Sequence, residues 1–303
     1  MTALIAVGRP ALAMEGSFSF VDHLVYGDAN SGRKRVMGTM PETKNETTVN
    51  NWRDCEQLLL QIEKENSESL TGVWFRGVSN AEWELKTTLE RRTSRTFSVA
   101  EYFQLMSRVK PEIETFTGKT WKWPEWSEPE NDIAGHLRKH PALTFMTHLR
   151  HCGFPSPILD WSRSPYVAAY FAFAKVQASK DVAIYVFSET PSNMKFGNAL
   201  GPKIISHGGY ALKTHERHFR QQSSYTVCVA SCEQWKFVSH QSIFGLGRKD
   251  QDRLYKITVP SSERLSVLRV LDRYNLNEHS LFCSEESLME TLAYREIDQK
   301  LSL

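Results

Sequence analysis

Apolar residues recur along this chain in two spacings, one typical of helices and one typical of strands. Recurrence every three or four positions predicts six helices, at residues 50–67, 97–116, 132–152, 165–174, 262–272 and 285–297. Short apolar runs predict six strands, at residues 73–75, 158–160, 182–187, 225–230, 235–238 and 254–259. The mixture of both kinds of element predicts an α+β fold.

The remaining stretches lack such periodicity. Residues 1–48 are predicted to be irregular or to form an edge hairpin, as an N-terminal extension to a main domain at residues 49–303. Residues 190–214 predict a loop, and loops of that length usually serve a function. A second predicted loop carries three tryptophans that are suited to stacking on bases, shielding the domain or contacting a partner protein: Trp121, Trp123 and Trp126.

The charge balance excludes a chain that binds polyanions over its whole surface. Lys and Arg number 37, Asp and Glu number 35, and the formal net charge is +2. Positive charge gathers locally between residues 203 and 220, where only Glu216 opposes Lys203, Lys213, Arg217 and Arg220. Histidines at positions 207, 215 and 218 lie in the same segment, but no Cys or close Asp completes a metal-ligand spacing there. We therefore expect no metal site.

The five cysteines indicate a reducing compartment. Their number is odd and no two are spaced as Cys-x-x-Cys, which argues against both a disulfide framework and a zinc ribbon. No run of 18 apolar residues occurs in the chain. The apolar residues 1–14 lack a preceding basic segment and are interrupted by Arg9-Pro10, unlike an export signal. We therefore expect a cytoplasmic protein that has no membrane partner.

Two segments place charged side chains at the end of a predicted strand. Arg76 and Gly77 follow the first strand, where a guanidinium either binds an anion or simply occupies a turn. Asp160 ends the second strand, and two interpretations of its carboxylate stay open. It is either a functional group or the internal partner of Arg163 or Arg76.

Hydroxyl and amide side chains extend this pattern. Ser162 and Ser164 lie at a strand-to-helix junction, where a hydroxyl caps the helix or holds a ligand ribose, and Ser164 directly before Pro165 suits the cap. Gln221 and Gln222 precede another predicted strand. Their amides suit a base edge or a sugar hydroxyl, and the alternative is a polar strand edge.

These segments together resemble one known family. Its signature is matched in order between residues 50 and 295 by Phe75-Arg76-Gly77; by Trp83, Leu85 and Arg91; by His151, Gly153, Pro155 and Leu159-Asp160-Trp161-Ser162; by Pro165, Ala168, Phe171 and Ala172; by Arg217, Gln221 and Gln222; and by Leu281-Phe282. This signature resembles that of the FRG domain, so residues 49–303 are identified as an FRG domain with C-terminal helices. The order of these motifs is in turn similar to that of arginine-specific ADP-ribosyltransferases, which implies a split mixed sheet with flanking helices.

The second resemblance implies roles for single residues. Arg76 is implied to clamp the diphosphate of NAD, the implied co-substrate. Ser162 and Ser164 are implied to shape the nicotinamide-ribose pocket. The other implied cofactor-binding residues are Gly77, Trp161 and Arg217. Ser223 occupies the position where the catalytic Glu of those enzymes is expected.

Three alternatives follow from the missing Glu. Asp160 stabilises the charge that develops on the ribose, or Gln221 and Gln222 orient the nucleophile, or the pocket only binds. The implied catalytic set is therefore Arg76, Asp160, Ser162, Gln221 and Gln222. The sequence does not decide among these alternatives.

The resemblances imply an NAD-dependent ADP-ribosyltransferase that acts as a bacterial toxin or phage-defence effector and is held inactive by a neutralising antitoxin protein. Its acceptor is expected to be a macromolecule. RNA is preferred over protein because of the basic segment, the paired glutamines and the tryptophans. Two alternatives stay open: a non-catalytic module that senses a nucleotide or a partner, and an NAD glycohydrolase in which water is the acceptor.

Overall fold

Eight strands form one mixed sheet in the computed structural model of this protein. The structure describes residues 45–67, 72–129, 132–175, 180–190, 201–208, 212–231, 233–241 and 252–300. Contacts divide the chain into Met1–Glu42 and Thr43–Leu303, and all described residues belong to the second unit. The predictions for residues 1–44, and part of the loop predicted at 190–214, therefore lie outside the described residues.

The strands are β1 (Glu46–Thr48), β2 (Val73–Val78), β3 (Ile158–Ser162), β4 (Val182–Ser188), β5 (Lys203–His207), β6 (Ser223–Ser231), β7 (Trp235–Phe237) and β8 (Arg253–Val259). Their order across the sheet is β1-β8-β4-β2-β3-β6-β5, and β7 pairs with β6. β1 is parallel to β8, and the other pairs are antiparallel. β1 lies inside the predicted N-terminal extension, yet it forms the edge of the main sheet.

The helices are α1 (Trp52–Glu65), α2 (Thr88–Arg92), α3 (Val99–Thr117), α4 (Ile133–Lys139), α5 (Ala142–His151), α6 (Pro165–Phe173), α7 (Glu216–Arg220), α8 (Arg264–Arg273), α9 (Glu278–Phe282) and α10 (Glu285–Ala293). A 3₁₀ turn, Ser261–Glu263, precedes α8, and a π turn, Tyr294–Asp298, follows α10. Among the described residues, no helix combines the length and the apolar character needed to cross a membrane. The α+β prediction, with a mixed sheet and flanking helices, is confirmed.

The core consists of three clusters of buried side chains. One joins α1, α6 and α8 to β2, β4 and β8, and a second joins α3, α4 and α5 to β3, β5, β6 and β7. A third contains Trp74, Trp161 and Phe187. Because successive side chains of a strand point to opposite faces, Phe75 and Trp74 enter different clusters from neighbouring positions. The helices of the first two clusters thus flank the sheet on either side of the β2/β3 boundary.

The sheet separates at that boundary. β2 pairs with β4 along its whole length, whereas its register with β3 contains one pair, Phe75 with Ser162. β3 in turn pairs with β6 along its whole length. The main-chain carbonyl of Asp160 accepts a hydrogen bond at 2.6 Å from the Arg76 guanidinium. A side chain therefore satisfies a β3 carbonyl beside the point where the two strands part.

The single helix predicted at residues 132–152 is wrong in one respect, because the structure contains two helices there. α4 ends at Lys139, and His140 adopts an extended conformation with ψ 122°. Pro141 follows it, and a proline disfavours the helical conformation of the preceding residue. The helical spacing continued through this break because both helices bury apolar side chains in the same cluster.

Two other expectations also change. Part of the loop predicted at residues 190–214 is a strand, β5, whose apolar run of two isoleucines was too short to stand out. The described part of the loop predicted at residues 121–130, residues 121–129, is irregular, but its tryptophans are not free surface rings. They are partly buried, with Trp121 centred 4.9 Å from Phe145 and Trp126 centred 4.6 Å from Phe103. Packing, rather than base stacking, explains this loop.

Candidate functional site

A cleft of about 320 Å³ opens where β2 and β3 separate, and most of the predicted site residues meet there. Among the described residues of its lining, four arginines and one carboxylate are fully charged, so we call it the arginine cleft: Arg76, Arg91, Arg150, Arg217 and Asp160. The rest of its lining includes Gly77, Trp83, His151, Ser162, Phe171, Gln221, Ser223 and Phe282. Positive charge therefore dominates this site, although the chain as a whole is nearly neutral.

Asp160 holds two of the four arginines. Its Oδ1 accepts a hydrogen bond at 2.9 Å from Arg76 and another at 2.6 Å from Arg150. One-third of the Asp160 side chain is exposed, which leaves it in contact with the cleft. The internal pairing considered from the sequence is present with Arg76, and Arg150 is the second partner in place of Arg163.

The two guanidinium groups determine the charge of this carboxyl. Burial acts to raise the pKa of Asp160, but the charges of Arg150 and Arg76 outweigh it and hold the pKa well below its usual range. Asp160 is therefore ionised at neutral pH, and its charge is shared between two cations. A carboxylate in this state is better suited to fixing the arginines than to stabilising a developing positive charge.

The other two arginines of the cleft are Arg91 and Arg217. Neither Arg91 nor Arg217 is paired with a carboxylate among the described residues. Partial desolvation and the charges of Arg76 and Arg150 lower the pKa of Arg91, which shows that cations crowd this side of the cleft. The Arg217 guanidinium lies 5.3 Å from the centre of the Phe282 ring, in a cation–π contact.

Two guanidinium nitrogens in the cleft are also unsatisfied. Nε of Arg150 and Nε of Arg217 are buried and make no hydrogen bond to any described residue. Buried donors are normally paired, so these N–H groups are available to an acceptor that enters the cleft. The arrangement is suited to an anion with several oxygens, because guanidinium groups bind phosphate through more than one hydrogen bond.

Ser162 and Gln221 both line the cleft, and a hydrogen bond joins them. The Ser162 hydroxyl donates to the Gln221 carbonyl at 2.8 Å and accepts from the Ser164 N–H at 3.0 Å. The Gln221 side chain donates to the Leu281 carbonyl at 3.3 Å. Both side chains line the cleft, but their hydrogen bonds give them a positioning role for the strand-to-helix junction.

Three expected site residues make their hydrogen bonds elsewhere in the fold. Ser164 is the N-cap of α6, accepting from Val167 N–H, and does not line the cleft. Gln222 is exposed at a positive φ of 49°, where its carbonyl accepts from Arg163 N–H. The Trp161 indole points to the opposite face from Asp160 and Ser162, and Nε1 donates to Thr226 at 2.8 Å. Ser164 and Gln222 therefore lie outside the described lining of the cleft, whereas Trp161 lines it although its indole points away. The roles predicted for these three residues stay predictions.

Gly77 lines the cleft, and its lack of a side chain allows α6 to pack closely against β2. A Cβ at this position would lie 1.9 Å from the Ala168 carbonyl oxygen and 2.6 Å from the Ala172 nitrogen, both in the backbone of α6. Only a glycine permits this approach of α6 to β2. Gly77 thus places the helix that follows Ser162 against the strand that carries Arg76.

A hydrogen-bonded row of three side chains reaches the cleft from β6. His151 Nε2 and His218 Nδ1 each lie 2.6 Å from the Tyr225 hydroxyl, and the His218 and Tyr225 rings stack at 15°. Burial lowers the pKa of His151 to about 4, so its imidazole is neutral at pH 7. One hydroxyl donates to one of these rings and accepts from the other. His151 is therefore a rigid, neutral side chain in the wall of the cleft.

Sequence reasoning gave no role to several of these residues. Arg91, His151 and Phe282 belong to the motif residues, but no single property of each indicated that it would line the cleft. Arg150 precedes His151 in a helix rich in basic residues, and only its three-dimensional place beside Asp160 shows its function. Among the described residues, no group of three or more His, Cys, Asp or Glu side chains is arranged to hold a metal ion.

Comparison with known proteins gives one match. Residues 71–181 match the model of the FRG domain family, a segment that runs from β2 to the start of β4 and supplies Arg76, Arg150 and Asp160 to the cleft. No curated protein and no solved structure matches the chain. The FRG resemblance predicted from the sequence is confirmed by this match over residues 71–181.

Proposed function

We propose that the arginine cleft binds the diphosphate of NAD and that the chain is an ADP-ribosyltransferase acting on a macromolecule, with RNA preferred over protein. One observation carries the proposal: in the described lining of the cleft, four arginines converge and Asp160 supplies the one carboxylate. Since Asp160 offsets one positive charge, the cleft keeps an excess that a diphosphate would match. A setting as a toxin or phage-defence effector, with a neutralising partner protein, follows from the family resemblance and remains part of the proposal.

The aromatic side chains of the cleft support a nucleotide over a simple anion. Phe171 and Phe282 form an edge-to-face pair with ring centres 5.9 Å apart, and both line the cleft. Trp83 also lines it and is 47% exposed. Flat apolar side chains beside arginines are suited to a ligand with phosphates at one end and a planar ring at the other.

The transfer reaction requires one bond to break and one to form. The bond between ribose C1′ and the nicotinamide nitrogen breaks, and its electron pair leaves with the nicotinamide. The acceptor's nucleophile then bonds to C1′ while its proton passes to a base. His151 is the neutral imidazole in the cleft wall and is the candidate for that base.

A second candidate function is a nucleotide sensor without chemistry. Ser223 lines the cleft at the position expected for the catalytic Glu, and Asp160 is neutralised by two arginines. Among the described lining residues no other carboxylate is present to stabilise positive charge on the ribose. A cleft of this composition binds an anionic nucleotide whether or not it cleaves it.

Incubation of the pure protein with NAD labelled on its adenylate half, with and without RNA, separates these functions. Label on RNA or protein supports transfer, free ADP-ribose supports the glycohydrolase, and saturable binding of intact NAD supports the sensor. Arg76→Ala should abolish any transfer. The matched control is Arg273→Ala, an exposed arginine at the end of α8, which should transfer as the wild type does. Absence of NAD binding would contradict the transferase, the glycohydrolase and a sensor of NAD.

A further inference from the structure

A larger groove adjoins the arginine cleft. It encloses about 1040 Å³ and is bounded by α2, by the last turns of α3 and by the end of α5 with the segment that follows. Arg91 lines both the groove and the cleft, and Cys152 in the groove directly follows His151 in the cleft. The two cavities are therefore neighbours.

The groove contains an aromatic ring that the fold does not use. Phe116, in the last turn of α3, is 93% exposed and lines the groove. Other exposed aromatic residues exist on this chain, and one such ring alone would indicate nothing. Phe116 shares its cavity with cationic side chains, as Trp83 does in the arginine cleft, and it is the more exposed of the two rings. A free ring beside cations is the arrangement that stacks with nucleic-acid bases.

The charge of the groove favours an anionic occupant. Arg91 and Arg92 lie side by side at the end of α2, and neither is paired with a carboxylate among the described residues. Glu112 is the one carboxylate among the described residues that line the groove. The neighbouring Glu90 is occupied by the capping box of α2, where it accepts from Thr87 N–H. The exposed Lys119 adds a further positive charge near His148.

We propose that this groove binds a single strand of RNA, with phosphates on Arg91 and Arg92 and a base stacked on Phe116. The shared Arg91 then leads the strand from the groove to the arginine cleft. This inference names the acceptor of the proposed reaction and rests on the proposed function in that respect, but binding itself needs no chemistry. The partly buried Trp121, Trp123 and Trp126 and the exposed Gln222 take no part in it.

Fluorescence anisotropy of a labelled, unstructured RNA of about 12 nucleotides tests the proposal with the full chain. Phe116→Ala should weaken binding on the order of tenfold, the typical loss for one stacked base. Arg92→Ala should reduce the slope of log affinity against log salt by about 0.7, the amount for one phosphate contact on a single strand. The control variants are Tyr274→Ala and Arg273→Ala, which remove an exposed aromatic residue and an exposed arginine at the end of α8. Both should bind RNA as the wild type does.

Three results would overturn the proposal. These are absence of RNA binding by the wild type, unchanged binding by both groove variants, or equal competition by an acidic peptide of the same length. Calorimetry with NAD on the same proteins keeps the two proposals apart. If RNA binds in the groove and NAD does not bind, the proposed function fails while the RNA site stands. If Phe116→Ala loses RNA but keeps NAD, both are supported.

Discussion

At the scale of single residues, Asp160 organises the cleft by holding two arginines with one carboxylate. Arg76 and Arg150 converge on its Oδ1, and Arg76 also binds the main-chain carbonyl of the same residue. Two cations held this closely repel each other in the absence of the carboxylate. Asp160 therefore explains how a cleft with excess positive charge remains folded before it meets a ligand.

Asp160→Asn should lower the free energy of unfolding by about 2 kcal/mol at pH 7, as measured by urea denaturation. Fully buried ion pairs lose about 3–5 kcal/mol when one partner is removed, and the partial exposure of Asp160 reduces that cost. The control is Glu82→Gln, which breaks the exposed ion pair with Lys180 and should destabilise the chain much less than Asp160→Asn does. Equal stability of Asp160→Asn and the wild type would contradict the role given to this carboxylate.

At the scale of elements, the close contact of α6 with β2 determines the shape of the cleft. β2 carries Arg76, and α6 follows directly from the junction that carries Ser162. The short distance between α6 and β2 requires a glycine at position 77, because α6 backbone atoms occupy the space that a Cβ would need. The glycine of the family signature is thus a packing requirement that also positions an arginine.

Gly77→Ala should lower the free energy of unfolding by about 3 kcal/mol or prevent folding, because backbone atoms rather than a flexible side chain must move. Gly118→Ala is the comparison. Its Cβ would meet nothing within 4 Å, so only the positive φ of 66° opposes it, at a cost of about 1 kcal/mol. Thermal and urea unfolding measure both variants. A smaller loss for Gly77→Ala than for Gly118→Ala would contradict this packing.

The elements with long apolar patterns could be predicted from the sequence, and the short ones could not. α1, α3 and α6 were recognisable because several buried positions and a capping residue agree in each. β5 has two isoleucines and depends on pairing with β6, which no local pattern reveals. Pro141 was the one sign of the break between α4 and α5, and the helical spacing of apolar residues continues on both sides of it.

Some residues of the arginine cleft could also be predicted from the sequence, and others could not. Arg76, Asp160, Ser162 and Gln221 could be predicted because each lies at a strand end within a motif. Arg150 comes from a helix whose sequence offers several basic residues as candidates, and its choice depends on the packing of α5 against β3. Local sequence also did not show that Gln222 turns outward at a positive φ.

At the scale of the whole molecule, buried neutral histidines make stability depend on pH. Burial lowers the pKa of His151 to about 4 and that of His240 to about 3, whereas the unfolded value is near 6.5. Between pH 6.5 and 4 the unfolded chain therefore binds protons that the folded chain does not. Stability consequently falls as the pH is lowered through that window.

The free energy of unfolding should fall by about 1–2 kcal/mol for each of these two histidines when the pH is lowered from 7 to 5. Asp160 contributes little in this range, because its depressed pKa makes its contribution disappear only below about pH 4. His240→Gln should show a smaller difference between the two pH values than the wild type. Identical differences for variant and wild type would contradict the burial of a neutral His240.

The whole molecule also concentrates its positive charge. A chain with a formal charge of +2 places four arginines around one carboxylate, and Arg91 continues that charge into the adjoining groove. Local excess charge of this kind attracts anionic ligands without a basic surface elsewhere. The central claim is therefore that the arginine cleft binds the diphosphate of NAD.

Isothermal titration calorimetry of NAD against the wild type, Arg217→Ala and Arg273→Ala tests that claim most directly. Among the described residues, Arg217 is paired with no carboxylate, so its removal should leave the fold intact. We expect saturable binding to the wild type and to Arg273→Ala. Binding to Arg217→Ala should be weaker by about tenfold or more, the usual loss of a charge-assisted hydrogen bond. No binding to the wild type, or equal affinity for all three proteins, would contradict the claim.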